Sequence, residues 1–253
     1  MTASEIITYM ESLHDEEQRQ VLMRFFKTAP GEYGYGDEFL GIKVPLTREV
    51  VKMAAKDTPL SEIPKLLICR WHEVRLCALL ILVWHFERQA TRRLVNDQEA
   101  IKRRDDILKL YLKYAGQANN WDLVDMSAPR ILGHWLMLPS ALGDRDYKLR
   151  VLDDLAASPC LWRQRMSMVC TWKTTQMGDA SWCLRYAEIH LHHPHDLMHK
   201  AVGWMLRECG KRDPDALRAF LSAHLAALSR TSLRYAIERF APDERRRWLT
   251  TMS

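Results

Sequence analysis

Lys200-Ala-Val-Gly-Trp-Met-Leu-Arg-Glu208 (KAVGWMLRE) opens on a basic residue and continues with small and apolar ones. The same phrasing returns along the chain. Arg165 leads RMSMVCTW, Arg234 leads RYAIERF and, far upstream, Arg75 leads RLCALLIL. The interval from 165 to 200 is 35 residues and from 200 to 234 it is 34. From 75 to 165 it is 90, which leaves room for one further unit around Trp121. Helical-hairpin repeats have periods of roughly 34–47 residues, each unit a pair of antiparallel helices stacked on the next. The helix breakers fall where such hairpins need them, at Pro139–Gly143, Ser158–Pro159, Met177–Asp179, His193–Pro194 and Asp213–Pro214. The pattern predicts an all-α fold, a curved α-α superhelix, with residues 1–253 as one repeat domain. On the concave side of such a stack Arg75, Arg165, Lys200 and Arg234 would form a basic ladder in one groove. The alternative is that they cap helices or tie neighbouring helices together.

Working outward, helical periodicity continues almost everywhere. Ile6, Ile7, Met10 and Leu13 share one apolar face, followed by Val21, Leu22, Phe25 and Phe26. Val50, Val51, Met53 and Ala54 share another, after a turn at Pro45–Thr47 in which Thr47 is a candidate N-cap. No alternating strand pattern stands out. The one long irregular segment is Thr28 to Pro45 (TAPGEYGYGDEFLGIKVP), and long ordered loops in packed domains are often functional.

Composition narrows the function classes. Of the 253 residues 47% are hydrophobic, with only 10 Gly and 10 Pro, which suits a well-packed helical protein. The most apolar run, Leu76 to Trp84 (LCALLILVW), is 9 residues long. A membrane span needs about 20, so this is read as a buried helix. With no signal peptide evident, a soluble, cytoplasmic protein is expected, without a membrane partner. The six cysteines form no CxxC pair and read as reduced, mostly buried thiols. Residues 1–125 carry 18 Lys+Arg against 19 Asp+Glu, and residues 126–253 carry 19 against 13. The basic excess therefore sits in the second half, compatible with phosphate contacts there.

Few constellations carry chemistry. In Asn119-Asn120-Trp121-Asp122-Leu123-Val124-Asp125, Trp121 and Asp125 are four apart and share a helix face. An aromatic plate beside a carboxylate suits a cationic, sugar-bearing substrate, because the ring face attracts positive charge and the acid stabilises a developing cation. The competing reading makes Asn120 or Asp122 an N-cap and Trp121 core. In Leu161-Trp162-Arg163-Gln164-Arg165, Arg165 would face the groove and Arg163 could reach a phosphate. In the opening phrase Gly203 permits close helix packing, and Trp204 could fill the core or face the groove. The run His190-Leu191-His192-His193-Pro194-His195, with His199, invites a metal reading, but Pro194 breaks the helix and no cysteine or carboxylate pair completes a tetrahedral set. It reads as a surface or helix-end cluster. No glycine-rich phosphate loop, GxSxG or HExxH is present.

Taken together, several phrases in order resemble the AlkD-like DNA alkylation repair family: Phe25-Phe26-Lys27-Thr28 with Gly31-Glu32-Tyr33, Phe39-Leu40-Gly41-Ile42-Lys43-Val44-Pro45, Trp71-His72-Glu73-Val74-Arg75 through Leu82, the NNWDLVD stretch, LWRQR and KAVGWMLRE. The resemblance runs over nearly the whole chain. It implies a superhelix of HEAT-like repeats with a basic concave DNA cradle. The implied activity is hydrolysis of the N-glycosidic bond of cationic N3- or N7-alkylated purines in duplex DNA, without metal or cofactor. It further implies that Trp121 and Trp204 are cleft tryptophans, that Asp125 is the catalytic aspartate, and that Arg165 contacts the DNA backbone near the lesion. The 39-residue interval from Arg165 to Trp204 favours Arg165 over Arg163 in that role. Lys200, Arg234 and Arg75 remain candidate phosphate contacts. A monomer is expected, since the cradle must stay open. The rival expectation is a scaffold of the same fold that binds damaged or branched DNA, or a protein partner, without chemistry.

Overall fold

The computed structural model describes residues 1–251, and they are helical nearly throughout. In order the helices are α1 (Ala3–Glu11), α2 (Glu16–Phe25), α3 (Val44–Ala54), α4 (Ile63–Leu67), α5 (His72–Gln89), α6 (Gln98–Lys113), α7 (Trp121–Ser127), α8 (His134–Leu136) and α9 (Arg145–Ala156). They continue with α10 (Leu161–Val169), α11 (Thr171–Gln176), α12 (Ser181–Ile189), α13 (Asp196–Arg212), α14 (Pro214–His224), α15 (Arg230–Ala236) and α16 (Pro242–Thr251). A π-helical turn, Pro129–Gly133, precedes α8. The described residues contain no strand, only an isolated parallel bridge between Glu38 and Trp71. None of their helices is long and apolar enough to cross a membrane.

Contacts divide the described residues into two compact units: Met1–Ile131 with Leu138–Leu142, and Leu132–Met137 with residues 143–251. In the first unit α5 is the hub, packed against α1, α3, α4, α6 and α7. The LCALLILVW run explains this, since a helix that is apolar all round is stable only when surrounded. His72 through Val83 are all buried. In the second unit α13 is the hub, packed against α10, α11, α12, α14 and α15. The 35- and 34-residue intervals therefore land on α10, α13 and α15, which pack as successive neighbours. Gly203 is what allows the close α13–α15 approach. A Cβ there would lie 2.5 Å from both the Ser232 carbonyl oxygen and the Tyr235 Cβ.

One local expectation is corrected. Thr47 is not an N-cap. Helix α3 starts at Val44 with Pro45 in its first turn, where the missing N–H costs nothing, and Thr47 is buried inside the helix. The apolar face read over Val21, Leu22, Phe25 and Phe26 is divided, with Phe26, just after α2, buried in the core. No residue of α2 is buried, and Val21 and Phe25 are exposed. The face lies instead at a cavity in the first unit. The 28–45 segment is ordered by close backbone approach. Gly41 has φ +87°, and a Cβ on it would meet the Asp15 carbonyl oxygen at 2.0 Å, so only glycine fits.

Candidate active site

Helix α7 is only 7 residues long, too short to stand on its own propensity. Asn120 begins it, its Oδ1 accepting from the Trp121 N–H at 2.9 Å. Of the two N-cap candidates, the cap is therefore Asn120. Trp121 and Asp125, one turn apart, both line a cavity of about 300 Å³ in the first unit. Its other walls come from α2 (Leu22, Phe25), the following Phe26, the 28–45 segment (Phe39, Ile42), the start of α3 (Val44) and α5 (His72, Glu73, Leu76).

The walls are aromatic and ordered. Phe26 stacks on Trp121 with ring centroids 5.4 Å apart and on Phe39 at 5.2 Å. Phe25 meets Trp121 edge-on at 5.8 Å. Such pairs add about 0.5–1.5 kcal/mol each beyond the area they bury. The exposed Phe25 thus has a structural reason: it completes the mouth of the cavity beside Trp121.

Behind the aromatic wall lies a buried charge cluster. His72 Nδ1 is 2.7 Å from Asp37 Oδ2, and its Nε2 is 2.9 Å from Asp122 Oδ2. Arg75 pairs with Asp37 through Oδ1, and Asn120 Nδ2 donates to Asp37 Oδ2 at 3.5 Å. Burial alone would lower the His72 pKa. The charges and hydrogen bonds of Asp122 and Asp37 outweigh it and push it up to about 9. Burial raises Asp37, but His72 and Arg75 more than compensate and hold it below the usual carboxylate range. Glu73 turns its carboxylate onto the 28–45 segment and accepts the backbone N–H groups of Leu40 (2.9 Å), Gly41 (2.9 Å) and Ile42 (3.0 Å). Loop, hub helix and α7 are therefore joined by ionic hydrogen bonds out of water.

In the second unit Trp204 lies on α13 and is half-buried, so part of its ring remains accessible. The basic ladder needs correction. Arg75 is 4% exposed and donates to the carbonyls of Cys69 and Arg70 at 2.8 and 2.7 Å besides pairing with Asp37. It terminates the α4 segment and serves the core. Arg165 is 5% exposed and donates to the Leu197 carbonyl at 2.5 Å, tying α10 to α13. Both follow the capping or interhelix alternative: Arg75 satisfies carbonyls in the segment just before its own helix, and Arg165 bridges from α10 to a carbonyl at the start of α13. Arg163 and Lys200 are half-buried and Arg234 is exposed. Lys200 pairs with Asp196 at 2.7 Å.

The histidine run also has structural work. His190 Nε2 meets Ser167 Oγ at 2.9 Å, His193 Nε2 meets Gln164 Oε1 at 2.8 Å, and His199 Nε2 donates to the His193 carbonyl at 2.6 Å. Burial, with His193 adding to it, lowers His190 to about 4. Among the described residues no three His, Cys, Asp or Glu side chains are arranged to hold a metal ion.

A family model described as DNA alkylation repair enzyme matches residues 6–240. The chain belongs to this DNA alkylation repair family. Comparison with curated proteins gives no match. Among solved structures, a predicted DNA alkylation repair enzyme from Enterococcus faecalis is similar with a TM-score of 0.64 at 16% identity, covering 90% of this chain and 97% of that one. At that identity the likeness speaks for the fold alone.

Sequence reasoning named Trp121 and Asp125, which line one aromatic cavity, but gave no role to His72, Glu73, Asp37 or Asp122 as a set. The signal was partly visible. His72 and Glu73 stand in the quoted WHEVR phrase and Asp37 in the glycine-rich segment, but their meeting is a product of tertiary structure.

Proposed function

We propose that the chain is a DNA glycosylase that hydrolyses the N-glycosidic bond of N3- or N7-alkylated purines in duplex DNA. The observation that carries the reading is that Trp121 and Asp125 line one aromatic cavity in a chain of the alkylation repair family. An N3- or N7-alkylated purine bears a positive charge, so it departs without being protonated. The C1′–N bond breaks with its electron pair going to the base, which leaves neutral. Positive charge moves to the sugar as an oxocarbenium-like centre. Water then adds at C1′ and gives up one proton. Asp125 stabilises the cation by charge and takes up that proton, and Trp121 offers a ring face to the same cation. Because the charge to be stabilised is on the sugar, the base need not be carried into a deep pocket.

Trp204, half-buried on α13, is proposed as a further substrate-contacting tryptophan on the strength of the family resemblance alone. Phosphate contacts are proposed for Arg163, Lys200 and Arg234, whose side chains remain at least partly accessible, and not for Arg75 or Arg165, which are buried among carbonyls. A test compares free-base release from duplexes carrying one N7-methylguanine with release from duplexes carrying one O6-methylguanine. The first base is cationic and the second neutral. Release only from the first supports the mechanism. Equal release from both contradicts it, and tight binding with no release above the spontaneous rate leaves the chain as a scaffold.

A further inference from the structure

We propose that His72 is a positioning residue of this site: clamped between Asp37 and Asp122, it fixes the rotation of α7 and thereby the direction in which Trp121 and Asp125 face the cavity. The proposal rests on the reading of Asp125 as the acting carboxylate.

The geometry carries it. Both ring nitrogens of His72 face carboxylate oxygens, at 2.7 and 2.9 Å. An ionised carboxylate only accepts hydrogen bonds, and a neutral imidazole has a single N–H. Satisfying both contacts therefore requires the imidazolium, which agrees with the upward shift to about 9. The ring is also fixed in plane. Phe39 stacks on it with centroids 4.4 Å apart, and Phe26 lies against it at 5.0 Å. His72 is a rigid bar with a carboxylate on each end, one from the 28–45 segment and one from α7.

Asp122 sits directly after Trp121 and three residues before Asp125. At 3.6 residues per turn, holding Asp122 sets the rotation of its neighbours. The hold is needed because α7 has two turns and one capping bond. It is also specific. Asp122 Oδ1 is shut off from solvent and has no hydrogen-bond partner among the described residues, so its carboxylate depends on the Oδ2 contact with His72.

The charged groups facing His72 are Asp37 from the loop, Asp122 and Asp125 from the α7 side of the cavity, and Glu73 and Arg75 on its own helix. Glu73 is engaged by three backbone N–H groups and Arg75 by Asp37 and two carbonyls. Helix α2 and Phe26 supply only uncharged side chains to this cavity.

A misplacement of about 1 Å at a reacting centre can lower a rate on the order of 100-fold. In single-turnover release of N7-methylguanine, His72→Gln is therefore expected to lower the chemical rate about 100-fold while DNA affinity stays within a few-fold. A glutamine amide can donate to one carboxylate but cannot bridge two. Asp122→Asn, which keeps the packing and weakens the clamp, is expected to lower the rate about tenfold. Long-range ¹H–¹⁵N NMR of the His72 ring in the wild-type chain should show both nitrogens protonated at pH 7.5. A neutral ring, or a folded His72→Gln chain with an unchanged rate, would overturn the proposal. If His72→Gln does not fold, the rate of Asp122→Asn decides in the same way. Should the wild-type chain release no base, the glycosylase reading fails. The clamp is then judged by the ring protonation and by whether Trp121 fluorescence moves in Asp122→Asn. An unmoved spectrum would overturn it.

Discussion

Replacing Glu73 with glutamine stresses the fold with almost no change in side-chain shape. The carboxylate holds three backbone N–H groups, two on Oε1 from Gly41 and Ile42 and one on Oε2 from Leu40. Glutamine keeps one oxygen, which can still receive the Gly41 and Ile42 groups, but it turns an NH₂ toward the Leu40 N–H. One buried donor is orphaned, at a cost of about 1–3 kcal/mol, and two charged hydrogen bonds become neutral ones, losing roughly 1 kcal/mol each. Some of this is recovered by relaxation, so we expect a loss of about 3 kcal/mol. The assay is urea unfolding at 25 °C, read from the midpoint at constant slope. Hydrogen exchange should also report locally, with the Leu40, Gly41 and Ile42 amides losing protection ahead of those on α5. A destabilisation under 1 kcal/mol, or unchanged exchange at those three amides, would refute the idea that Glu73 pins the 28–45 segment.

The buried His72 predicts a pH dependence of stability. Its pKa rises from 6.5 to about 9 on folding, so the native state binds the extra proton between those values. The stabilisation is full below about pH 6.5 and is lost as pH rises through 9, amounting to on the order of 3 kcal/mol. Urea midpoints across pH 6–10 should fall in wild type and flatten in His72→Gln. Gly203→Ala should destabilise by about 1–3 kcal/mol, because the new methyl meets Ser232 and Tyr235 at 2.5 Å; a thermal melt unchanged within 1 °C contradicts that packing. Arg165→Ala should lower thermal stability yet leave the salt dependence of DNA binding unchanged, whereas Lys200→Ala or Arg234→Ala should reduce the slope of log K against log salt by about 0.9. A reduced slope in Arg165→Ala would return that arginine to the DNA surface.

Much of the fold was legible because it depends on local periodicity. The LCALLILVW run announced the hub helix α5, and the basic-then-apolar phrases marked α10, α13 and α15 at nearly their true places. Gly203 announced the helix contact it makes. Misreadings came where tertiary structure decides. The cavity beside the apolar face of α2 could not be foreseen, since periodicity shows that a face is apolar and not what covers it. Arg75 and Arg165 looked like groove residues because sequence shows their phase on the helix and not the carbonyls waiting at that depth. For the site, the helical spacing of Trp121 and Asp125 gave the shared face directly. The Asp37–His72–Asp122 bridge joins residues 35 and 50 positions apart, so no spacing rule could reveal it.

The central claim is that Asp125 supplies the charge that lets a cationic purine leave. The direct measurement is the single-turnover rate of N7-methylguanine release from duplex DNA by the wild-type chain and by Asp125→Asn, with DNA affinity measured for both. Removing one preorganised electrostatic group from a reaction centre costs roughly 10²–10³ in rate. We predict a loss of that size in Asp125→Asn with affinity preserved. Equal rates in the two proteins would contradict the account.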